Sequence, residues 1–529
     1  MNARVFLLAL TVFSAVAATR AEAQPGRLWR PEDRSLITSF GDVAALALGR
    51  REVYVAGPYG VAVFDYVESA WRPPLAPSAG YPAPEMVTAL AYDATADALW
   101  LGTEDGILLR FGLTQDRWER VPYDPRDPVI RIVPDADEGV LWAGTPGGWH
   151  RVRDDGTSGR FIMRADQVPS HIREIGETDV ATQAAVGTLG LDERLRRFPI
   201  QAMLQGDRPA SYFVATAGAG LMQFDSNTLQ RTWLPFGTLS RGVGSIALDG
   251  DRIWFGGDAQ GPRDGVAFAD GGLTRWTHLE AAVDGAPRGF VARIVPAEDA
   301  IWFAASDGVY RLDRSRIGSG LRAADWTRYT SADRLPADQA TTVVAVSGGA
   351  WIGTLRGLAR LDVTSRSVNT TLAGLRVLDL ALAGDTLWIA TQSGLFVSIS
   401  GGMPARAPGV ENAQGLRTGP VVALAAVGGV ITALTPAAVH RLEQGQWSAP
   451  MRDPATRALG PLFRLHVAAD GGVWIAGEAG VAALEEGRPV RTWLVPADIP
   501  AGPVRGIVLD GDDLWVATPA GALRLDRTR

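Results

Sequence analysis

An all-β chain built from about 11–12 repeated four-stranded units is what the sequence predicts, on three observations. Eleven similar segments follow one another, and nine of the ten steps between them are 37–49 residues long. Their central slot holds Tyr54, Trp100, Trp142, Phe213, Trp254, Trp302, Trp351, Trp388, Ile431, Trp474 and Trp515, and the residue two places on is Gly or Ala every time. The 17 Trp also sort by position: eight occupy the slot and seven follow it by 16–24 residues. A period near 40–45 with short alternating strands is the signature of a β-propeller blade, a small twisted sheet that must sandwich its flat aromatics against the next one.

The elements follow in chain order. Met1–Ala23 reads as an export leader: Arg4, an apolar run from Val5 to Ala18, then Ala21-Glu22-Ala23 ahead of a cut after Ala23. The apolar run is short for a membrane span, and no second run of about 18 apolar residues follows, so a periplasmic or secreted chain without membrane insertion is expected. Residues 24–31 resemble the fourth-strand segments, with Trp29 where those carry Trp, and the chain ends at Arg529 after the third strand of the last unit. The N-terminal strand is therefore expected to complete the last blade, removing two open sheet edges. Residues 32–529 hold the repeats. Within each, a strand such as Leu-Trp-Ile-Gly-Thr leads into a turn, and a Gly six past the slot, as at Gly308 and Gly357, supplies the positive φ that the turn needs. The long step, from Trp142 to Phe213, contains an insertion or degenerate blade at about 162–198. Eleven or twelve blades form either one large ring or two adjacent rings.

Composition excludes much chemistry. All 51 basic residues are Arg, and there is no Cys, so thiol nucleophiles, Schiff bases and the Lys-dependent phosphate loop are ruled out. A net charge of −7 argues against nucleic acid as a partner. No nucleophile elbow, zinc-binding helix or dinucleotide turn is present, and no cofactor, metal site or catalytic residue is assigned. Two Asp-rich runs, 135–139 and 510–513, fall at hairpin turns that favour Asp and Gly on backbone grounds.

The consensus Leu-Trp-Ile-Gly-Thr-x-x-Gly-Leu-x-Arg-Leu-Asp, plain at 342–362 and 504–526, resembles the two-component regulator propeller repeat. The resemblance covers about Val43 to Asp526 and implies an extracytoplasmic sensing or binding propeller. This chain departs from the sensor proteins in carrying no kinase segment after its repeats. A fainter similarity runs to exported propeller lyases, whose diagnostic His motif is not evident.

Binding in a propeller falls at the axial funnel, lined by first strands. Polar departures from the apolar first-strand pattern are Arg131, Arg293, Asp379, Arg464 and Arg505, with His466 on a first strand as well. Converging guanidinium groups favour a small anionic ligand or glycan, since they pair bidentately with carboxylate and phosphate. The expected function is thus a non-enzymatic, sensor-like or scaffold module that binds such a ligand or a protein partner. The alternative is an exported lyase or hydrolase working in the same funnel on a glycan or other anionic small molecule.

Overall fold

The computed structural model describes residues 34–527, apart from 59, 76–86, 116, 154–158, 163–164, 175–188, 193–194, 259–262, 319–320, 414, 452–453 and 486–487. It contains eleven four-stranded antiparallel sheets, numbered here in chain order. Sheets 1–4 span residues 45–75, 87–120, 131–162 and 200–234; sheets 5–10 span 243–280, 291–329, 340–371, 377–406, 423–447 and 462–494. Sheet 11 is made of Gly506–Asp510, Asp513–Thr518 and Gly521–Asp526, with Arg34–Ile37 paired antiparallel to Gly521–Asp526 as its fourth strand. The segment expected in that place, 24–31, lies outside the described residues, as does the leader.

The repeat is a packing device. In each sheet the second strand is almost wholly buried, and in most of them its slot side chain crosses to the following sheet. Trp302 packs on Val343, Ala350 and Ile352 of sheet 7; Trp351 packs on Leu387 and Ile389 of sheet 8; Trp474 packs on Leu514 and Val516 of sheet 11. Filling such a seam with an indole stabilises it by roughly 3–5 kcal/mol relative to Ala. The repeated Arg belongs to the same device. Arg311, Arg360 and Arg524 sit directly across the strand pair from Trp302, Trp351 and Trp515, with each guanidinium 5.6–6.0 Å from the indole centroid. The repeated Asp closes a turn instead: Asp362 accepts from Ser365 N at 2.8 Å, and Asp313 from Ser315 N at 3.0 Å.

Following the slot aromatics from sheet to sheet gives the order of neighbours. Trp515 of sheet 11 does not end the series, because its ring lies 5.8 Å from Phe255 of sheet 5, edge to face. Sheets 5–11 thus form a cycle of neighbours, with each first strand beside the next and that of sheet 5 beside sheet 11. Phe213 of sheet 4 turns the other way, onto Phe64 of sheet 1, 6.4 Å between centroids. Sheets 1–4 are therefore a separate set. Trp142 of sheet 3 meets Val168 and Ile172 of the inserted segment, where the other slot tryptophans meet a sheet. Of that segment, a helix at Ser170–Glu174 is described, while 175–188 fall outside the described residues.

Residues 38–40 and 236–240 carry the chain between the two sets side by side. Ser39 bridges Gly237, Thr38 Oγ1 donates to Arg241 O at 3.1 Å, and Phe40 meets Phe236 at 5.1 Å. Phe236 also touches Trp71 of sheet 1 and Trp276 of sheet 5, so one apolar cluster runs through both sets.

Candidate functional site

First strands that touch their counterparts are the innermost strands, and the register says which of their side chains share a level. Opposite the small residue two past each slot stand Ser245, Arg293, Thr342, Asp379, Leu424, Arg464 and Gly506 in sheets 5–11. In sheets 5–8 and 10 a register shift falls immediately before this residue. A bulge there re-aims the side chain away from the regular pleat. The small partner explains the choice of Ala or Gly, since a larger residue would crowd the convergence: a Cβ on Gly353 would meet Thr342 and Val377 at 2.7 Å.

Asp379 is the hub of this level. Its buried carboxylate accepts from Arg293 Nη1 at 3.2 Å, Thr342 Oγ1 at 3.2 Å, its neighbour Leu380 N at 2.9 Å and Leu424 N at 2.9 Å. One side chain therefore ties sheets 6, 7, 8 and 9 together. Arg464 is placed differently. Its Nε donates to Arg505 O and its Nη1 to Phe463 O at 3.0 Å, both backbone carbonyls, and no carboxylate lies within 4.0 Å among the described residues. Burial pushes this guanidinium below its ordinary pKa; the charge of Asp379 offsets that in part, and Arg293 adds to it. Arg505 pairs with the buried Asp258 of sheet 5 at 2.7 Å and lies 5.6 Å from the Phe290 ring, riveting sheets 11 and 5. His466, across from Trp474, is kept below the ordinary imidazole range by burial and by the charges of Arg293 and Arg527.

The structure thus brings Arg293, Asp379 and Arg464 to one level, with Arg505 and His466 close by. Arg131 occupies the equivalent slot of sheet 3, opposite Gly144, in the other set of sheets.

One polar constellation was not anticipated from the residues. Glu280, at the end of sheet 5, accepts from Arg196 Nη1 at 2.7 Å and from Arg263 Nε at 2.8 Å, and Arg196 Nε also donates to Asp192 at 2.7 Å. Burial raises the Glu280 carboxyl, yet the two guanidinium groups outweigh it and hold the group below the usual carboxylate range. Beside it His278 donates from Nε2 to Gly237 O at 2.9 Å. Burial, with the charge of Arg263, drives this imidazole down to about 3. Together with Phe198, Trp233 and Trp276 these groups line a cleft of about 380 Å³ between sheets 4 and 5. The only hint in the sequence was the long step that supplies Asp192 and Arg196.

No helix among the described residues is long and apolar enough to cross a membrane. No group of three or more His, Asp or Glu that could hold a metal ion occurs among them. No family model matches the chain, and no curated protein matches it either. Among solved structures it is similar to the extracellular domain of a B. thetaiotaomicron one-component system protein, with 15% identity over 92% of this chain and 70% of that one and a TM-score of 0.36. It is also similar to PorZ, a surface component of the type-IX secretion system of Porphyromonas gingivalis (13%, 92% and 74%, TM-score 0.43). A third likeness is to virginiamycin B lyase from Staphylococcus aureus (13%, 54% and 94%, TM-score 0.42). Likeness at this level bears on no ligand and no reaction.

Proposed function

We propose that this chain is an exported β-propeller protein, sensor-like or a scaffold and without a reaction of its own, that binds a small anionic ligand at the axis of sheets 5–11. Its leader, Met1–Ala23, is removed on export in this reading, leaving a periplasmic or secreted chain. Arg464 and Arg293 hold the ligand, Asp379 orients Arg293, and Arg505 and His466 shape the surround. Arg131 plays the corresponding part in sheets 1–4.

The observation that carries the reading is the charge balance at the axis. Two guanidinium groups face one carboxylate, and that carboxylate is already engaged by Arg293, a hydroxyl and two backbone amides. A partly enclosed guanidinium satisfied only by carbonyls retains a full positive charge, and an anion arriving there gains charge-assisted hydrogen bonds in a medium of low dielectric. Asp379 is the single carboxylate among the seven described residues at this level, an arrangement that favours binding over a two-carboxylate hydrolysis.

Calorimetric titration of the mature chain with acetate, sulfate and glucuronate at matched ionic strength tests this. Saturable binding of at least one anion, lost in Arg464→Met with the melting temperature of the free protein kept, is the expected result. Identical titrations of wild type and Arg464→Met would overturn the assignment.

A further inference from the structure

The two sets of sheets differ in what they present to their axes. In sheets 1–4 the residues opposite the small partner are Ala45, Ala89, Arg131 and Ala202. Three methyl groups thus stand where sheets 5–11 carry Ser, Arg, Thr, Asp, Leu, Arg and Gly. A cleft of about 520 Å³ opens at the mouth of this set, within the size range of small-molecule sites. All four sheets contribute to its wall, through Val43 at the entry to sheet 1 and Pro58 in its second turn, Val87 and Thr88 from sheet 2, Ile130 at the entry to sheet 3, and Gln201 from sheet 4. Arg131 does not line it.

The wall is built rather than loose. Ile130 N donates to Gly144 O at 2.9 Å, Val129 N to Thr103 O at 3.0 Å, and Val43 N to Thr216 O at 3.1 Å. Thr88, in the residue skipped by the register shift of sheet 2, donates from Oγ1 to Val129 O at 2.6 Å and so staples sheet 2 to the entry of sheet 3. On this fixed frame Ile130 is 59% exposed. A ligand that covered this side chain would gain part of the roughly 1.5–3 kcal/mol that burying a large aliphatic yields. At the rim stands Asp42, exposed, with no cation within 4.0 Å among the described residues.

We propose that this cleft binds a small amphipathic amine, with its hydrocarbon body against Ile130, Val87 and Val43 and its ammonium group on Asp42. A carboxylate at the rim of an apolar funnel selects for positive charge at one end of the ligand and against negative charge. The site is distinct from the anion site at Arg464, which lies on sheets 5–11, and from Arg131, which shares its set of sheets but does not line the cleft.

Calorimetric titration of the mature chain with n-octylamine, n-octanol and sodium octanoate, all below their aggregation limits, separates body from head group. Octylamine is expected to bind at least tenfold more tightly than octanoate, with octanol between them. Asp42→Asn should abolish the preference for the amine over the alcohol, and Ile130→Gln should weaken both several-fold. Arg464→Met, which removes the anion site, should change none of these values. Both replaced residues are exposed, so their melting temperatures should stay at the wild-type value. Equal affinity of the wild type for octylamine and octanoate, or octylamine binding indifferent to both Asp42→Asn and Ile130→Gln, would overturn the proposal.

Discussion

Acidification tests the joint between the two sets of sheets through a single group, His278. In the folded chain its imidazole donates to Gly237 O, faces Arg263, and takes up a proton only near pH 3; in the unfolded chain it does so near 6.5. The folded pKa is depressed, so the unfolded state binds more protons throughout the interval between those values. Its contribution to stability is intact above about pH 6.5 and is lost progressively as pH falls towards 3. The slope approaches about 1.4 kcal/mol per pH unit, or about 2 kcal/mol between pH 6 and pH 4.5. Carboxylates held below their ordinary range, such as Glu280, Asp313 and Asp362, add their own acid sensitivity further down. A variant isolates the histidine: Gln at 278 keeps an N–H donor for Gly237 O and does not titrate. Urea unfolding of the mature wild type and of His278→Gln at pH 7.5, 6.0, 5.2 and 4.5 measures the difference. The gap between the two should widen in favour of the variant by about 2 kcal/mol from pH 6 to 4.5. The chain has five His, so the Cε1 proton of His278 can be assigned in the NMR spectrum by its absence from the variant, and its shift should stay flat down to pH 4.5. Parallel stability curves, or a shift that titrates near 6.5, would refute the argument.

Two further outcomes follow from the packing and the axis. Trp302→Ala should destabilise the chain by about 3–5 kcal/mol in urea unfolding, because its indole fills the seam between sheets 6 and 7, whereas Trp233→Ala, half-exposed on an outer strand, should cost less than about 2 kcal/mol. Asp379→Ala should cost about 2–4 kcal/mol, since it leaves the Thr342 hydroxyl and the Leu424 amide without their acceptor while the half-exposed Arg293 turns to water, and Asp379→Asn, which keeps an acceptor oxygen, should recover part of that loss in the same assay.

The architecture was readable because a repeat writes its packing rules many times over. One Trp is ambiguous, but a Trp followed two places later by Ala or Gly in successive copies marks the seam between sheets, and the register pairs that small residue with the axial position. For the same reason Arg293, Asp379 and Arg464 stood out as polar breaks in an apolar first-strand pattern, and they share a level. The division into two sets was not readable. It is decided by which face Phe213 meets, Phe64 behind it rather than Phe255 ahead, and the step from Phe213 to Trp254 is an ordinary 41 residues. Nor could the Glu280 cluster be found by spacing, since Arg196 reaches it from 84 residues away and from the irregular segment rather than from a repeat. The cleft at the mouth of sheets 1–4 escaped for the opposite reason: its makers are Ala44, Ala217 and aliphatic side chains such as Val43, Val87 and Ile130, which carry no motif.

Arg34–Ile37 pairs with Gly521–Asp526, so the earliest described strand finds its partner almost at the other end of the chain. During synthesis at roughly 5–20 residues per second, that partner arrives on the order of half a minute or more after the strand itself. Sheets 1–4, by contrast, have all their slot contacts within the first half of the polypeptide and can assemble while the remainder is still being made. The molecule is therefore expected to mature in two acts, with the smaller unit settling early as a loop held out from a thread in which residues 34–37 wait, and the larger unit locking last, in one step, when the hairpin of residues 513–526 captures them.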